Sequence, residues 1–239
     1  MLINIDVHTH SIASGHGSAA TIADMARAAA VRQLKALCIT DHGPSTVGSA
    51  KESYFRGLKS VPRRRFGVQL YLGCEVNISD FTGHLDLSDE ILSALDFNIA
   101  SLHPQNIRPG TAAQNTSALI RAMENPYIHL IGHPDDEKYP LDYKALVEAA
   151  RATHTLLELN RASLAPGGYR GDARSKDVLL LHWCAIFNQP VVLGSDSHGV
   201  DNIGKFRECL ELIREVEFPE ELVLNRNVEE MFRYCEAKK

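Results

Sequence analysis

The sequence predicts an α/β fold in which seven parallel strands and their helices close into a single-domain, TIM-like (β/α)7 barrel. Short apolar runs alternate with amphipathic stretches along the chain, and this alternation is typical of parallel strands joined by crossover helices. Six of the seven apolar runs also end at side chains that can bind a metal. Only a closed barrel gathers so many strand ends around one mouth, because an open sheet keeps its two edges apart.

The composition is that of an ordinary globular protein. Residues 1–239 contain no linker-like segment, internal repeat or low-complexity tract, so we expect one domain. The hydrophobic fraction of 44% is sufficient for a buried core. The net charge is -5, and the only basic cluster, three arginines at residues 63–65, is interpreted as a solvated helix end. No nucleic-acid partner is therefore expected.

Cysteine usage and hydropathy indicate the compartment. The five cysteines are scattered singly without a Cys-x-x-Cys pair, which favours neither a disulfide framework nor a thiolate zinc site and indicates a reducing compartment. The first strand starts within a few residues of Met1, and no apolar run approaches the roughly 18 residues that span a bilayer. We therefore expect a cytoplasmic protein with no signal peptide and no membrane partner.

The first strand is an apolar run at residues 2–5 that continues into Asp6-Val7-His8-Thr9-His10. Histidines two positions apart on a strand point to the same face. Two neutral imidazoles that reach the same point form half of a divalent metal site, so the remaining ligands should lie elsewhere in the chain. A third histidine, His16, follows in a Gly/Ser-rich loop.

The later apolar runs are predicted as strands because each is short and bounded by turn residues. They cover residues 36–40, 69–76, 97–102, 128–131, 156–159 and 190–193. Five of these six strands end at ligand-type side chains, namely His42, Glu75, His103, His133, and Asp196 with His198. Asp41 precedes His42 and is predicted to orient a ligand.

Helices are predicted between the strands from capping signals and amphipathic spacing. Thr21 and Asp24 form a capping-box-like start for the first helix, which extends to about residue 33. The other helices are predicted over residues 52–60, 88–94, 112–124, 143–152, 175–187, 203–215 and 228–237. Residues 160–174 are Gly-rich and are predicted to form a long loop.

The ligand-type side chains should converge on the mouth of the barrel. The set is His8, His10, His16, His42, Glu75, His103, His133, Asp196 and His198. A catalytic zinc takes about three protein ligands plus water, so nine ligands with one bridging carboxylate fit three ions. Imidazole-rich sites with carboxylates favour Zn, Fe, Mn or Ni over Mg or Ca. Zinc is the default prediction, with Mn or Fe as alternatives.

At these residues the chain resembles the PHP family, named for polymerase and histidinol phosphatase, and most of all its YcdX-type bacterial phosphatases. The resemblance covers nearly the whole chain. The matching motifs are Asp6-Val7-His8-Thr9-His10, Ile39-Thr40-Asp41-His42-Gly43-Pro44, Glu75-Val76-Asn77-Ile78, Ile131-Gly132-His133-Pro134, Glu158-Leu159-Asn160 and Leu193-Gly194-Ser195-Asp196-Ser197-His198. The resemblance implies a distorted barrel of seven strands, in agreement with the strand count, and hydrolysis of phosphate esters.

Carried over residue by residue, the resemblance implies three metal ions. They would be held by His8, His10, Glu75 and Asp196, by Glu75, His103 and His133, and by His16, His42 and His198. The implied reaction is hydrolysis of a small-molecule phosphate ester by a hydroxide that the trinuclear zinc centre activates, with no protein nucleophile. The resemblance is also compatible with a homo-oligomer, of which a trimer is one form.

Several alternatives stay open at this point. An amidohydrolase-like C–N hydrolase also uses a His-x-His pair at strand one, although no lysine stands at a strand end to bridge metals. A phosphodiesterase on the same barrel and a non-catalytic metal-binding module are the other two. Three arginines of the sixth loop, Arg161, Arg170 and Arg174, are candidates for phosphate contacts or for solvated loop charges.

Overall fold

Seven parallel strands form the centre of the structure, a computed structural model that describes residues 1–238. The strands of the chain are β1 (Ile5–Asp6), β2 (Thr9–His10), β3 (Ala36–His42), β4 (Arg64–Arg65), β5 (Val68–Asn77), β6 (Phe97–Ser101), β7 (Leu130–Ile131), β8 (Leu156–Asn160), β9 (Val191–Gly194) and β10 (Ser197–His198). The order β1-β3-β5-β6-β7-β8-β9 is parallel throughout and forms a nearly closed barrel. The predicted fold class is confirmed.

Helices surround this barrel. They are α1 (Ile22–Val31), α2 (Glu52–Gly57), α3 (Asp89–Leu92), α4 (Ala112–Met123), α5 (Tyr143–Ala152), α6 (Arg161–Leu164), α7 (Ala173–Phe187), α8 (Arg207–Glu215) and α9 (Val228–Glu236). The predicted capping box before α1 is present, since Thr21 accepts from the backbone of Asp24 and the carboxylate of Asp24 accepts in return. None of the described helices is long and apolar enough to cross a membrane.

Two local predictions are wrong. The predicted loop at residues 160–174 begins with the short helix α6, because the side chain of Asn160 caps it by accepting from Ser163 N at 3.1 Å. The arginine run at residues 63–65 is not a helix end. Arg64–Arg65 instead form β4, which pairs antiparallel with β5.

The first predicted strand is also interrupted. The β1 ladder with β3 ends at Asp6, and the chain pairs again only at β2, which lies parallel to β10. Asp6 stabilises the chain at this interruption, because its carboxylate accepts hydrogen bonds from Ser195 N at 3.0 Å and from Gly204 N at 2.8 Å. The second ladder brings His10 opposite His198, so the first and last strand segments meet above the barrel.

Side chains close the gap between β1 and β9. Asn225 is fully buried and donates to the carbonyl oxygens of Ile5 and Leu193, each at 2.9 Å. The same side chain accepts from Leu193 N at 2.7 Å. Three backbone groups of the two end strands, Ile5 O, Leu193 O and Leu193 N, are therefore satisfied without a direct ladder between the strands.

The strand alternation separates an apolar lower interior from a polar mouth. On β3, Ala36 and Cys38 face the barrel interior, whereas Leu37 and Ile39 pack outward against the helices. The lower interior is closed by α9, which contributes buried Met231 and Cys235. The nine predicted ligands lie at the other end of the barrel.

Candidate metal centre

All nine predicted ligands lie together at the mouth of the barrel. Each is positioned by a strand end or by the loop that follows it, apart from His16, which follows a 3₁₀ turn at Ile12–Ser14. The imidazole of His10 stacks on those of His42 and His198, with ring centroids 4.3 and 4.2 Å apart. The ring of His16 lies 4.9 Å from those of both His42 and His198.

Glu75 stands at the centre of the cluster and is fully buried on β5. Its Oε1 atom lies 3.2 Å from His103 Nε2 and 2.9 Å from His133 Nε2. Its Oε2 atom faces the other way, 3.4 Å from His8 Nε2 and 2.6 Å from His42 Nδ1. The two oxygens of this carboxylate therefore face two different groups of imidazoles. A carboxylate that bridges two metal ions has this arrangement.

Three sets of ligand atoms lie close enough to share an ion, with all atoms of a set within 4.8 Å of one another among the described residues. The sets are His8, His10 and Glu75; His42, Glu75 and His103; and His10, His42 and His198. The implied second and third ligand sets are thus not separated in space, because His42 lies between them. His16 belongs to none of these three sets.

Unpartnered buried atoms show that the residues fit metal ions. Five polar atoms of the cluster are buried without a hydrogen-bond partner, namely His8 Nε2, His10 Nε2, His42 Nδ1, Glu75 Oε2 and His198 Nε2. Buried polar atoms are rarely left in this state, since each costs about 1–3 kcal/mol when unsatisfied. Imidazole nitrogens and a carboxylate oxygen facing one another are a donor set for a transition metal.

The pKa shifts favour the metal-binding forms of most of these side chains. Burial raises the pKa of Glu75, but the neighbouring His103 and His8 outweigh it and hold this pKa well below its usual value. Burial lowers the pKa of His10 well below its usual value, and His42 lowers it further. A charged carboxylate and a neutral imidazole are the forms that bind metals. The exception is His8, whose pKa is raised because Glu158 and Glu75 outweigh the effect of burial.

Glu158 holds His8 in place from behind. Its Oε1 lies 2.8 Å from His8 Nδ1, so the opposite nitrogen of the ring, Nε2, is aimed at the cluster. Its Oε2 accepts from His133 N at 2.6 Å and from Asn160 Nδ2 at 3.1 Å. Gly194 makes this packing possible, because a Cβ atom there would lie 1.8 Å from Glu158 Oε1.

Asp41 orients His10 through a serine. It accepts from Ser14 Oγ at 2.7 Å, from Ser11 N and Oγ, each at 2.7 Å, and from the Tyr54 hydroxyl at 2.6 Å. The Ser14 hydroxyl donates its proton to Asp41, so Ser14 Oγ acts as the acceptor for His10 Nδ1, which lies 2.9 Å away. This assigns the proton of His10 to Nδ1 and leaves Nε2 free for a metal. The geometry supports the prediction that Asp41 orients a ligand.

Asn77 has a similar role at His103. Its Oδ1 lies 2.7 Å from His103 Nδ1, and its Nδ2 donates to Asp86 Oδ2 at 2.6 Å. The supporting roles of Ser14, Asn77 and Glu158 were not predicted from the sequence. Glu158 and Asn77 lie inside motifs that match the family, and this match could have indicated their roles. The sequence around Ser14 contains no such motif.

Two of the cluster residues have left-handed backbone conformations. His133 has φ 30° and Asp196 has φ 50°, a region that residues other than glycine enter at a cost. The turn at Asp196 is held by the hydrogen bond from its N–H to His8 O at 2.9 Å. Such a conformation is stable only where surrounding contacts compensate its strain.

A cavity of about 570 Å³ opens directly above the cluster. Its walls outside the nine residues include Gln105, Lys138, Tyr169 and Arg170. A larger groove of about 1090 Å³ runs beside it along α1, but His198 is its only member of the cluster. The smaller cavity is therefore the one that can place a bound molecule against the metal ligands.

The three loop arginines differ in what they contact. Arg161 forms an ion pair with Glu208 at 3.2 Å, and Arg174 pairs with Glu215 on the surface. Arg170 is buried and lines the cavity above the cluster. Of the three, only Arg170 is positioned at the site.

Comparisons with known proteins identify the family of the chain. The family model described as the PHP domain matches residues 6–163. A protein of Caldicellulosiruptor saccharolyticus named "Probable phosphatase" is 39% identical over 98% of this chain and 96% of its own length. A protein of Clostridium novyi, also named a probable phosphatase, is 36% identical over 98% and 95%.

Among solved structures, the chain is similar to histidinol phosphate phosphatase from Lactococcus lactis, solved with Zn, L-histidinol and phosphate. The two share 18% identity and superpose with a TM-score of 0.64, covering 92% of this chain and 95% of the other. At that identity the likeness supports the barrel fold alone. The family assignment rests on the family model and on the relatives of higher identity. The chain therefore belongs to the PHP family and is one of its metal-dependent phosphatases.

Proposed function

We propose that this protein hydrolyses small-molecule phosphate esters at a trinuclear zinc centre built from the nine residues at the barrel mouth. The observation that carries the proposal is the arrangement around Glu75, whose two oxygens face different imidazoles while five buried atoms of the cluster lack hydrogen-bond partners. Three ions would satisfy all five atoms. The family membership supports phosphoester hydrolysis as the reaction.

The proposed ligand sets are those that the family resemblance implies. They are His8, His10, Glu75 and Asp196; Glu75, His103 and His133; and His16, His42 and His198. His42 Nδ1 lies 2.6 Å from Glu75 Oε2. His42 is therefore close enough to bind either the second or the third of the proposed ions. When bound, such ions lower the pKa of a water molecule toward neutrality and neutralise the charge that develops on a transferring phosphoryl group.

The protein's own groups orient the ligands and shape the cavity. Glu158, Ser14 and Asn77 each hold the Nδ1 atom of one histidine, so that the Nε2 atom of that ring is directed inward. The cavity of about 570 Å³ is of the size that holds a small molecule. Lys138 at its wall has a half-exposed side chain and supplies a cation that a phosphate ester can approach.

Two measurements test this proposal. Elemental analysis of protein purified without chelator should find close to three transition-metal ions per chain, and zinc-replete protein should hydrolyse phosphomonoesters in a screen that includes phosphodiesters and amides. One ion or fewer, with no further binding after addition of zinc or manganese, would disprove the trinuclear centre. Hydrolysis of amides or phosphodiesters but not monoesters would replace the proposed reaction.

The location and assembly of the protein remain predictions. The five cysteines are free and buried, which supports the predicted cytoplasmic location because a reducing compartment maintains free thiols. A homo-oligomer such as a trimer is compatible with the family resemblance. Light scattering coupled to gel filtration measures the assembly directly.

A further inference from the structure

Arg170 lines the cavity above the metal centre, yet its guanidinium is bound by the protein. One terminal nitrogen, Nη1, donates to Asn160 Oδ1 at 3.2 Å and to Ser163 Oγ at 3.0 Å. The other, Nη2, donates to Asp196 Oδ2 at 2.8 Å. The residue is only 3% exposed, so these contacts are shielded from water.

The two oxygens of Asp196 have different partners as a result. Oδ2 accepts from Arg170 and also from Asn160 Nδ2 at 3.3 Å. Oδ1 lies 3.2 Å from His10 Nε2 and 3.8 Å from His8 Nε2. Without the two donors, the carboxylate could rotate and offer either oxygen to the cluster.

We propose that Arg170 is a positioning residue that fixes Asp196 so that only Oδ1 is offered to a metal ion, and that it is not a phosphate ligand. The inference rests on the proposed function through the assignment of Asp196 as a metal ligand. A planar guanidinium suits this role, because its fixed fork reaches Asn160, Ser163 and Asp196 at the same time.

The contacts behind Arg170 hold it away from a substrate. Ser163 Oγ accepts from Arg170 and donates to Asp135 Oδ1 at 3.0 Å, and Asp135 is fully buried. The ring of Tyr169 lies 4.7 Å from the guanidinium carbon. A move toward phosphate would break the ion pair with Asp196 and leave a buried carboxylate without its partner, which is strongly unfavourable.

The same network joins two ligands of one proposed ion. Asn160 Nδ2 donates both to Asp196 Oδ2 and to Glu158 Oε2, and Glu158 holds His8. Arg170 therefore fixes Asp196 relative to His8. Because a chelating site binds best when its ligands are already in place, loss of Arg170 should weaken this ion more than the others.

The test compares Arg170→Met, Arg170→Lys and Ser163→Ala with Arg174→Gln, a matched control whose arginine pairs with Glu215 on the surface. Zinc affinity is measured by competition with a chromogenic chelator, and inhibition by inorganic phosphate is measured at saturating zinc. Arg170→Met should weaken one of the bound ions by about 10- to 100-fold. Phosphate inhibition at saturating zinc should stay at the wild-type value.

The other variants follow the same logic. Arg170→Lys restores the charge and one bond to Asp196, so it should recover part of the zinc affinity. Ser163→Ala removes one support of the guanidinium and should cause a smaller loss in the same direction, whereas Arg174→Gln should match wild type. If Arg170 only stabilised the fold, its loss would lower the melting temperature and would not weaken the binding of one ion more than that of the others.

If Arg170→Met has unchanged zinc affinity but is inhibited more weakly by phosphate, the inference is wrong and Arg170 is a substrate-binding residue. If Arg170→Met does not fold, Ser163→Ala decides: lower zinc affinity supports the inference and unchanged affinity rejects it. Wild-type protein that binds zinc but hydrolyses no phosphate ester would refute the proposed function instead. The zinc titration would then still decide the role of Arg170.

Discussion

At the scale of single residues, Glu75 lies next to more of the predicted ligand imidazoles than Asp196, the other carboxylate of the cluster. It is fully buried, and each of its oxygens lies within 3.6 Å of at least two histidine nitrogens. A buried carboxylate is stable as an anion only beside positive charge, which the proposed metal ions would supply. We therefore expect the proposed centre to need both the charge and the two oxygens of Glu75.

Substitution Glu75→Gln should test this role because it keeps the volume of the side chain and removes its charge. We expect the variant to lose metal from two positions together and to lose activity by several orders of magnitude, since both ions depend on the same carboxylate. Elemental analysis and phosphatase kinetics check this result.

Glu158→Gln is the matched comparison, because Glu158 is equally buried but contacts the far side of His8. It should cost only about 10- to 100-fold in metal affinity or activity. A Glu75→Gln protein with a full metal complement and near-normal turnover would show that Glu75 is not the bridge.

At the scale of elements, the histidines of the centre come from supports of different stiffness. His10 lies on β2, is fully buried and is held by Ser14. His16 follows the 3₁₀ turn in an exposed segment, and its pKa is lowered by only partial burial and by His42. Ordering an exposed loop costs conformational entropy, so the ion near His16 should be the most weakly held.

The variants His16→Ala and His10→Ala should therefore differ. His16→Ala is expected to weaken substrate binding and turnover while the barrel stays folded and the other two ions stay bound. His10→Ala should disturb the whole centre, because His10 lies in two of the three close ligand sets. Metal content, thermal melting and phosphatase kinetics are measured for both. Equal metal loss and equal destabilisation in the two proteins would refute a peripheral third site.

At the scale of the whole molecule, the barrel depends on side-chain hydrogen bonds where its strand ladder is incomplete, chiefly those of Asn225. Asn225 makes three hydrogen bonds to the backbone of β1 and β9 from a fully buried position. The mouth above it is built from the same two ends of the chain, through β2 and β10. The stability of the barrel and the alignment of His10 with His198 are thus connected.

Asn225→Ala should lower the free energy of unfolding by about 2–5 kcal/mol, because it leaves buried backbone groups unsatisfied and creates a small cavity. Asn227→Ala is a suitable control, since Asn227 only caps α9 and its loss should cost about 1 kcal/mol. Urea denaturation measures both. Equal losses in the two variants would mean that Asn225 does not close the barrel.

The metal-free protein should also be sensitive to acid. Burial lowers the pKa of His10, His16, His133 and His198 below the usual 6.5, so the folded state binds fewer protons there than the unfolded chain. These four histidines therefore lower the free energy of unfolding as the pH drops below 6.5, whereas the raised pKa values of His8 and of the buried carboxyls Asp6, Asp135 and Asp177 act in the opposite direction.

His10→Gln removes one of these histidines, so the melting temperature of chelator-treated wild type should fall relative to that of the variant between about pH 7.5 and about pH 5. Thermal melting of both proteins across this range measures the difference. A difference that is constant, or that changes in the other direction, would contradict the expectation.

The barrel and the residues of its mouth could be predicted from the sequence because both follow from local patterns. Each strand is a short apolar run, and each ligand-type side chain except His16 stands at or just beyond the end of such a run, as His103 does after β6. Parallel strands place their carboxyl ends on one side, so the convergence of these side chains needs no knowledge of distant contacts.

Only the tertiary structure decided how the ligands are held and how the barrel closes. His8 meets Glu158 across 150 residues of sequence, and Asn225 meets Ile5 across 220. The role of Arg170 likewise depends on Asp196 and Asn160 lying beside it in space. No local pattern encodes such pairs, because a hydrogen bond between distant residues depends on the packing of every element between them.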